Sequence, residues 1–220
     1  MTKRIACCQI LLLSFVFLPA VIPQRSFAQT SRGIELYDSG KYKEAERVFR
    51  EAVKADPSNM PDNFYLGLSV LQQENYRDAL DIFVKVQEAH DKAGQGLRPP
   101  VPDGYQIQLA LARARLGLRQ YAQAWKNLES ARLENAGSCE VYIYRGVYYL
   151  QQEKHKEAIQ ELEKAISLDA RNPYAYYYAG LAYVGSGEGV KAVDALRTFI
   201  ELAPWAPEAG KAKSIIDSLC

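Results

Sequence analysis

The sequence predicts an all-α protein built as a tandem array of about five helical hairpins, and three observations carry that reading. Alanines recur at 45, 79, 124, 158 and 192, at spacings of 34, 45, 34 and 34 residues. Twelve residues before each stands a second small residue, Gly33, Gly67, Ala112, Gly146 or Gly180. Turn signals lie between members of these pairs, at Asp38 to Gly40, at Gly117 and at Gly185 to Gly189, so each unit reads as helix, short turn, helix.

The second helix of each unit carries Phe49, Phe83, Leu128, Leu162 or Leu196 four residues after its alanine, and Ala52, Val86, Ala131, Ala165 or Phe199 three further on. Offsets of four and three keep these residues on one helical face. Two helices approach closely only where a side chain is nearly absent, which is the physical reason for the glycine and alanine series. The units run at about 29–59, 60–93, 105–138, 139–172 and 173–206. The second helix of unit two is expected to reach about Ala93, because the proline- and glycine-rich stretch 94–104 cannot continue it. This stretch reads as a loop inserted on the surface, with gripping or gating a partner as the alternative. It splits the array two plus three. Residues 207–220 place Ala209, Ala212, Ile216 and Leu219 on one face, with Pro207 suited to the first turn, and are expected to form a terminal capping helix.

With each alanine at the twentieth position of its unit, residues 29–206 resemble the tetratricopeptide repeat family. That family favours an aromatic residue at position 4, Leu at 7, Gly at 8, Tyr at 11, Ala at 20, Phe at 24, Ala at 27 and Pro at 32. Unit five carries Tyr176, Gly180, Tyr183, Ala192, Leu196 and Pro204, and unit one carries Gly33, Ala45, Phe49, Ala52 and Pro57. Departures are Arg32 and Arg145 at the Leu position, Arg115 at the Tyr position, and Asp91, Ala136 and Ala170 in place of proline. The resemblance implies a right-handed superhelical α-solenoid of about five tetratricopeptide helix-turn-helix repeats with a C-terminal capping helix.

Residues 1–28 read as a secretory signal peptide: Lys3 and Arg4 precede an apolar stretch from Ile10 to Ile22, and Ser26 to Ala28 supplies small residues before a cut. The protein is therefore expected to be exported, periplasmic or secreted, with Gln29 as its first mature residue. An uncleaved membrane anchor is the alternative. Cys7 and Cys8 precede the apolar run, against a lipoprotein signal. Without Lys3, Arg4 and Arg25 the chain keeps 24 of its 27 basic residues against 26 acidic ones, a net charge of −2. That balance gives no electrostatic case for nucleic acid, and a membrane is implied only if the N-terminal segment is retained. Cys139 and Cys220 stand two repeats apart, roughly 20 Å at the usual spacing of packed helices, and a disulfide spans at most about 7 Å between Cα atoms. They are expected to be unpaired, with Cys139 partly buried.

The residues give no catalytic, metal or cofactor site. His155 takes the position of Tyr42, Tyr76 and Tyr121 and reads as packing, and His90 lies near a helix end beside Glu88 and Asp91. Neither metalloprotease, nucleophile-elbow nor phosphate-loop spacing occurs, and the glycines at 185–189 follow no strand.

The resemblance instead implies a concave groove lined by positions 2, 5, 6, 9 and 12 of successive first helices. Those positions include Tyr37, Phe64, Tyr65, Leu68, Leu71, Gln106, Leu109, Arg113, Ile143, Tyr144, Val147, Tyr174, Tyr177, Tyr178 and Leu181, a surface rich in tyrosine and poor in charge. Such a patch suits a partner protein's peptide or helix. Tyr149, Tyr176 and Tyr183 fall at packing positions instead. The family's clamp for acidic chaperone C-termini is absent, its positions reading Thr30, Ile34, Tyr65, Gln106 and Ala110. The sequence thus points to a non-enzymatic adaptor of the cell envelope, or alternatively to a tethered or self-associating component of a secretion, pilus or envelope-assembly machine.

Overall fold

A computed structural model describes residues 24–94 and 101–219, with side chains from residue 28 onward. Most of the expected leader, including Cys7 and Cys8, lies outside the described residues, as do 95–100 of the expected loop and Cys220. The described residues form eleven helices and no strand. They are α1 (Gln24–Asp38), α2 (Tyr42–Ala55), α3 (Met60–Leu71), α4 (Tyr76–Ala93), α5 (Gly104–Gly117), α6 (Tyr121–Glu134), α7 (Cys139–Leu150), α8 (His155–Leu168), α9 (Pro173–Ser186), α10 (Gly189–Leu202) and α11 (Ala209–Leu219). Consecutive helices pair as hairpins, and each hairpin stacks on the next, giving an α-solenoid closed by α11. Helix α1 runs without a break through Ala28 and Gln29.

The paired small residues act as the sequence implies. Ala45, Ala79, Ala124, Ala158 and Ala192 are fully buried, and so are the larger residues four positions on. A Cβ on Gly67 would stand 2.5 Å from the Phe83 ring, and one on Gly146 or Gly180 would stand 2.5 or 2.6 Å from Leu162 or Leu196. Each ring or leucine therefore rests directly on the backbone of the facing helix, at close-packed density.

Two glycines that read as turns do something else. Gly117 ends α5, and the Tyr76 ring lies 2.3 Å from where its Cβ would be; Gly185, inside α9, gives the same room to His155. Both clearances serve the residue that opens the second helix of the preceding hairpin. The left-handed turn conformation falls instead to Gly40 and Gly187, with φ of 76° and 80°, and to Glu74, Arg119 and Glu153. Pro207 also differs from expectation, because α11 begins two residues later, at Ala209, and Leu219 is exposed.

The insertion after α4 does not divide the core. One buried cluster runs from Ala45 and Phe49 through Val70 and Phe83 to Ile107, Leu111 and Ala114, so hairpins one to three share it. Helix α4 packs on α5 across the insertion. Entropy of a lengthened loop is a small cost against that burial.

Two of the arginines at the departures from the family pattern, Arg115 and Arg145, are accommodated by partners. Arg115 bonds Asn127, whose amide donates to Gln108 (2.5 Å), which donates in turn to Gln87 (2.8 Å), linking α4, α5 and α6. A buried acid is less well served. Asp62, in the first turn of α3, accepts from the Thr30 hydroxyl (2.6 Å), while its second oxygen has no hydrogen bond among the described residues. Burial pushes its carboxyl above the ordinary carboxylate range, with the Thr30 bond opposing and Asp56 adding.

The native state therefore holds this proton more tightly than the unfolded chain. Stability falls as pH rises from the ordinary carboxylate range through the raised native pKa, and the full cost is present above it. Asp62→Asn is expected to flatten that slope and leave the neutral-pH melting temperature equal or higher. A fall in melting temperature at neutral pH would show that the charged form is favoured instead.

Candidate functional site

A groove of about 630 Å³ opens between the hairpins, bordered by α2, α3, the start of α4, α5, α7, α9 and the segment preceding α11. Of the residues expected to line it, the structure brings together Leu71, Arg113, Ile143, Tyr144, Val147, Tyr174 and Tyr178. Tyr42, Tyr76, Glu140 and Glu208 join them. Tyr42 and Tyr76 open second helices, at the position read as packing, yet they border the groove at its amino-terminal end.

The other expected residues are used elsewhere. Phe64 is buried 5.8 Å from the Phe83 ring, and Tyr65 stacks on Phe49 at 5.6 Å. Tyr37 packs edge-on to Tyr65 and accepts a hydrogen bond from Gln72. Leu68 and Leu181 pack against core clusters. Gln106 closes a capping box at the start of α5, its side-chain oxygen accepting from the Asp103 amide at 2.9 Å. Tyr177 is only 5% exposed, wedged against Leu196, Phe199 and Ala212, with its ring 5.0 Å from Phe199.

A single rule covers most of these differences. Phe64, Leu109 and Tyr177 all occupy the fifth position of their units and are buried away from the groove; Ile143, at the same position, is buried but still borders it. The fifth position faces the seam between helices, and the groove is drawn mainly from the second, sixth and ninth.

The groove's electrostatics centre on Arg113. Its guanidinium lies over the Tyr144 ring, 4.9 Å from the centroid, and among the described residues it forms no ion pair. Glu74, Glu140 and Glu208 line the same groove, and Glu140 acts on the Arg113 charge. Tyr174 donates to Glu208 (3.3 Å), and burial followed by that carboxylate pushes its phenol up to about 12. Burial also raises Tyr178, with Tyr144 adding, and raises Tyr144 itself against the opposing Arg113 charge. These phenols are thus protonated donors at neutral pH.

Among the described residues no group of His, Cys, Asp and Glu could hold a metal ion, and no helix is long and apolar enough to cross a membrane. Cys139 is partly buried, its sulfur accepting from Asn172 (3.5 Å) and lying 3.9 Å from Asp169. Burial raises its thiol, so it is not poised as a thiolate.

Comparison with known proteins agrees with this architecture. Residues 30–94 match the family model described as tetratricopeptide repeat, and residues 146–187 match a second described as TPR repeat. No curated protein sequence matches the chain. Among solved structures, a thermophilic tetratricopeptide protein of Thermus thermophilus is similar over 87% of this chain and 98% of its own, with 19% identity and a TM-score of 0.74. MamA of Desulfovibrio magneticus RS-1 is similar over 84% and 98%, with 17% identity and a TM-score of 0.57. YrrB, described as having an unusual peptide-binding site, is similar over 86% and 92%, with 21% identity and a TM-score of 0.50. On the repeat periodicity, the stacked hairpins and these matches, the chain carries tetratricopeptide repeats over residues 30–94 and 146–187 and shares the fold of solved tetratricopeptide proteins.

Proposed function

We propose that this protein is a non-enzymatic adaptor of the cell envelope that binds a peptide or helix of a partner protein in its concave groove. Tetratricopeptide repeats generally serve protein–protein interaction, and the observation that supports the groove is its composition. Tyr42, Tyr76, Tyr144, Tyr174 and Tyr178 converge with Val147 and Leu71 on one concavity. Tyrosine buries large area at low conformational cost while keeping a polar tip, which is why it anchors interfaces. The known protein whose description mentions a peptide-binding site, YrrB, shares the fold.

The test is crosslinking in the native envelope followed by mass spectrometry, with wild type against Tyr144→Ala/Tyr174→Ala. Tyr174 is exposed and Tyr144 half-buried, so the fold should tolerate both changes. Anchor residues contribute about 2 kcal/mol or more each, and every 1.4 kcal/mol is about tenfold in affinity, so the yield of the main crosslinked partner should fall at least about tenfold. An unchanged yield from a folded variant removes the groove assignment.

Export is part of the same proposal and rests on the charge and apolar pattern of residues 1–28. The reading as a tethered component draws on the continuity of α1 through Ala28. The mass of the protein isolated from the envelope separates the two, since cleavage after Ala28 leaves Gln29 first.

A further inference from the structure

We propose that Arg113 is the recognition centre of the groove and that the partner segment sets an acidic side chain against it, flanked on each side by basic residues. This rests on the groove being the binding surface and adds the chemistry of what it binds.

The first support is the contrast among the arginines. Among the arginines that are not exposed, Arg145 is held by two glutamates, Arg132 by Glu129 and Arg115 by Asn127. Arg113 stands in the groove wall against a ring face. A ring engages the flat face of a guanidinium and leaves its in-plane N–H donors pointing past the ring edge, and those donors are charged at every accessible pH. A carboxylate accepts from them two at a time in that plane, so stacking on Tyr144 and pairing with a ligand are compatible.

Protonated phenols of Tyr144 and Tyr178 border the same space and offer further donors. A charge withdrawn from water is costly until paired, which makes an incoming carboxylate favourable here.

The second support is the opposite charge that shares the groove. Glu74 comes from the turn before α4, Glu140 from the first turn of α7 and Glu208 from the segment before α11. Three carboxylates from three separate elements thus line the groove that holds one guanidinium, and Glu140 is the one whose charge acts on it. A polyanion, nucleic acid or multiply phosphorylated segment would meet repulsion from this lining. A single Asp or Glu with Lys or Arg before and after it in the chain meets attraction at the centre and at the rim. A C-terminal carboxylate has residues on one side only and would leave part of the rim unanswered, so an internal segment fits best.

Selection of random peptides displayed on phage, using the purified protein, tests this. Enriched peptides should share Asp or Glu with Lys or Arg on both sides. Affinity of a selected peptide should fall at least about tenfold with Arg113→Gln and by a similar factor when the peptide's own acid is changed to its amide. The two changes together should cost little more than either alone, as expected of two groups that contact each other. The peptide-side change reads the contact even if Arg113→Gln lowers stability.

Peptides that lose binding in Tyr144→Ala/Tyr174→Ala but show no acidic enrichment, or no coupling to Arg113, overturn the inference while the groove reading stands. Peptides indifferent to the tyrosine changes, or a library yielding none, overturn the groove reading and the inference with it.

Discussion

Replacing Phe83 by alanine is expected to lower the unfolding free energy by about 3–5 kcal/mol, the range for truncating a fully buried aromatic residue. Its side chain has no solvent exposure, its ring is 5.8 Å from Phe64, and it rests against the α3 backbone where Gly67 has no side chain. Neither neighbour can fill the void: Gly67 has nothing to extend, and Phe64 is fixed from its other side by Tyr65. The position also lies in the cluster shared by hairpins one to three, across the inserted loop. Repeat arrays are held together by nearest-neighbour interfaces, so loss here should separate unfolding of the first hairpins from the rest. Urea titration followed by circular dichroism is expected to give a lower first midpoint and a broadened or two-step transition. Phe83→Leu is the control, since leucine fills this position in the last three hairpins against a glycine or alanine. It should cost less than half as much. A loss below about 1 kcal/mol for the alanine variant would place Phe83 among ordinary, weakly coupled sites.

The fold was legible because its main constraint is steric and acts at fixed sequence distance. Wherever a phenylalanine or leucine must touch the facing helix backbone, a glycine or alanine is needed opposite, and the superposed series of small residues records that need five times. The uses of Gly117 and Gly185 were not legible. A glycine near a helix end reads equally as a turn or as a clearance, and only the neighbour opposite, Tyr76 or His155, decides between them. The division into two plus three hairpins failed for a related reason. The insertion interrupts the sequence, but Ile107 and Leu111 share one buried cluster with Val86 and Phe83 across it.

The site was half legible. Repeat register placed Arg113, Tyr144, Val147, Tyr174 and Tyr178 together, because equivalent positions of stacked helices share one side. It erred by a fraction of a helical turn at the fifth position, where an aromatic or aliphatic residue suits a groove and a seam equally well. Tyr177 shows the ambiguity: its hydroxyl made it a plausible contact residue, yet it packs on Phe199. Gln106 could have been read correctly, since Asp103 followed three residues later by a glutamine is the spacing of a capping box. Glu208 carried no such signal. Its place beside Tyr174 depends on how the chain turns into α11 after five hairpins.

Arg145→Ala is expected to cost about 3 kcal/mol, the lower end of the range for removing one member of a buried ion pair. Arg145 stands where the family favours leucine, and a charged residue at that seam is tolerable only if fully paired. It is 9% exposed; Nε and Nη2 donate to the two oxygens of Glu161 at 2.9 and 2.7 Å, Nη1 contacts Glu129, and the guanidinium lies 4.5 Å from the Trp125 ring centroid. Truncation would strip the fork from Glu161, whose side chain is 16% exposed, and uncover the Trp125 face. Glu129 is more open, at 32%, so water can replace part of its contact, which is why the lower end applies. Arg145→Leu should lose less, because it refills the seam and leaves one poorly solvated carboxylate as the main penalty. Adding Glu161→Gln should recover most of that remainder, since replacing a buried pair by uncharged residues of similar volume is often neutral. Thermal unfolding of the three variants would order them with Arg145→Ala lowest, the double variant highest and Arg145→Leu between. If Arg145→Ala melts with wild type, the network is too hydrated to matter, and hairpins three and four are held by their apolar contacts alone.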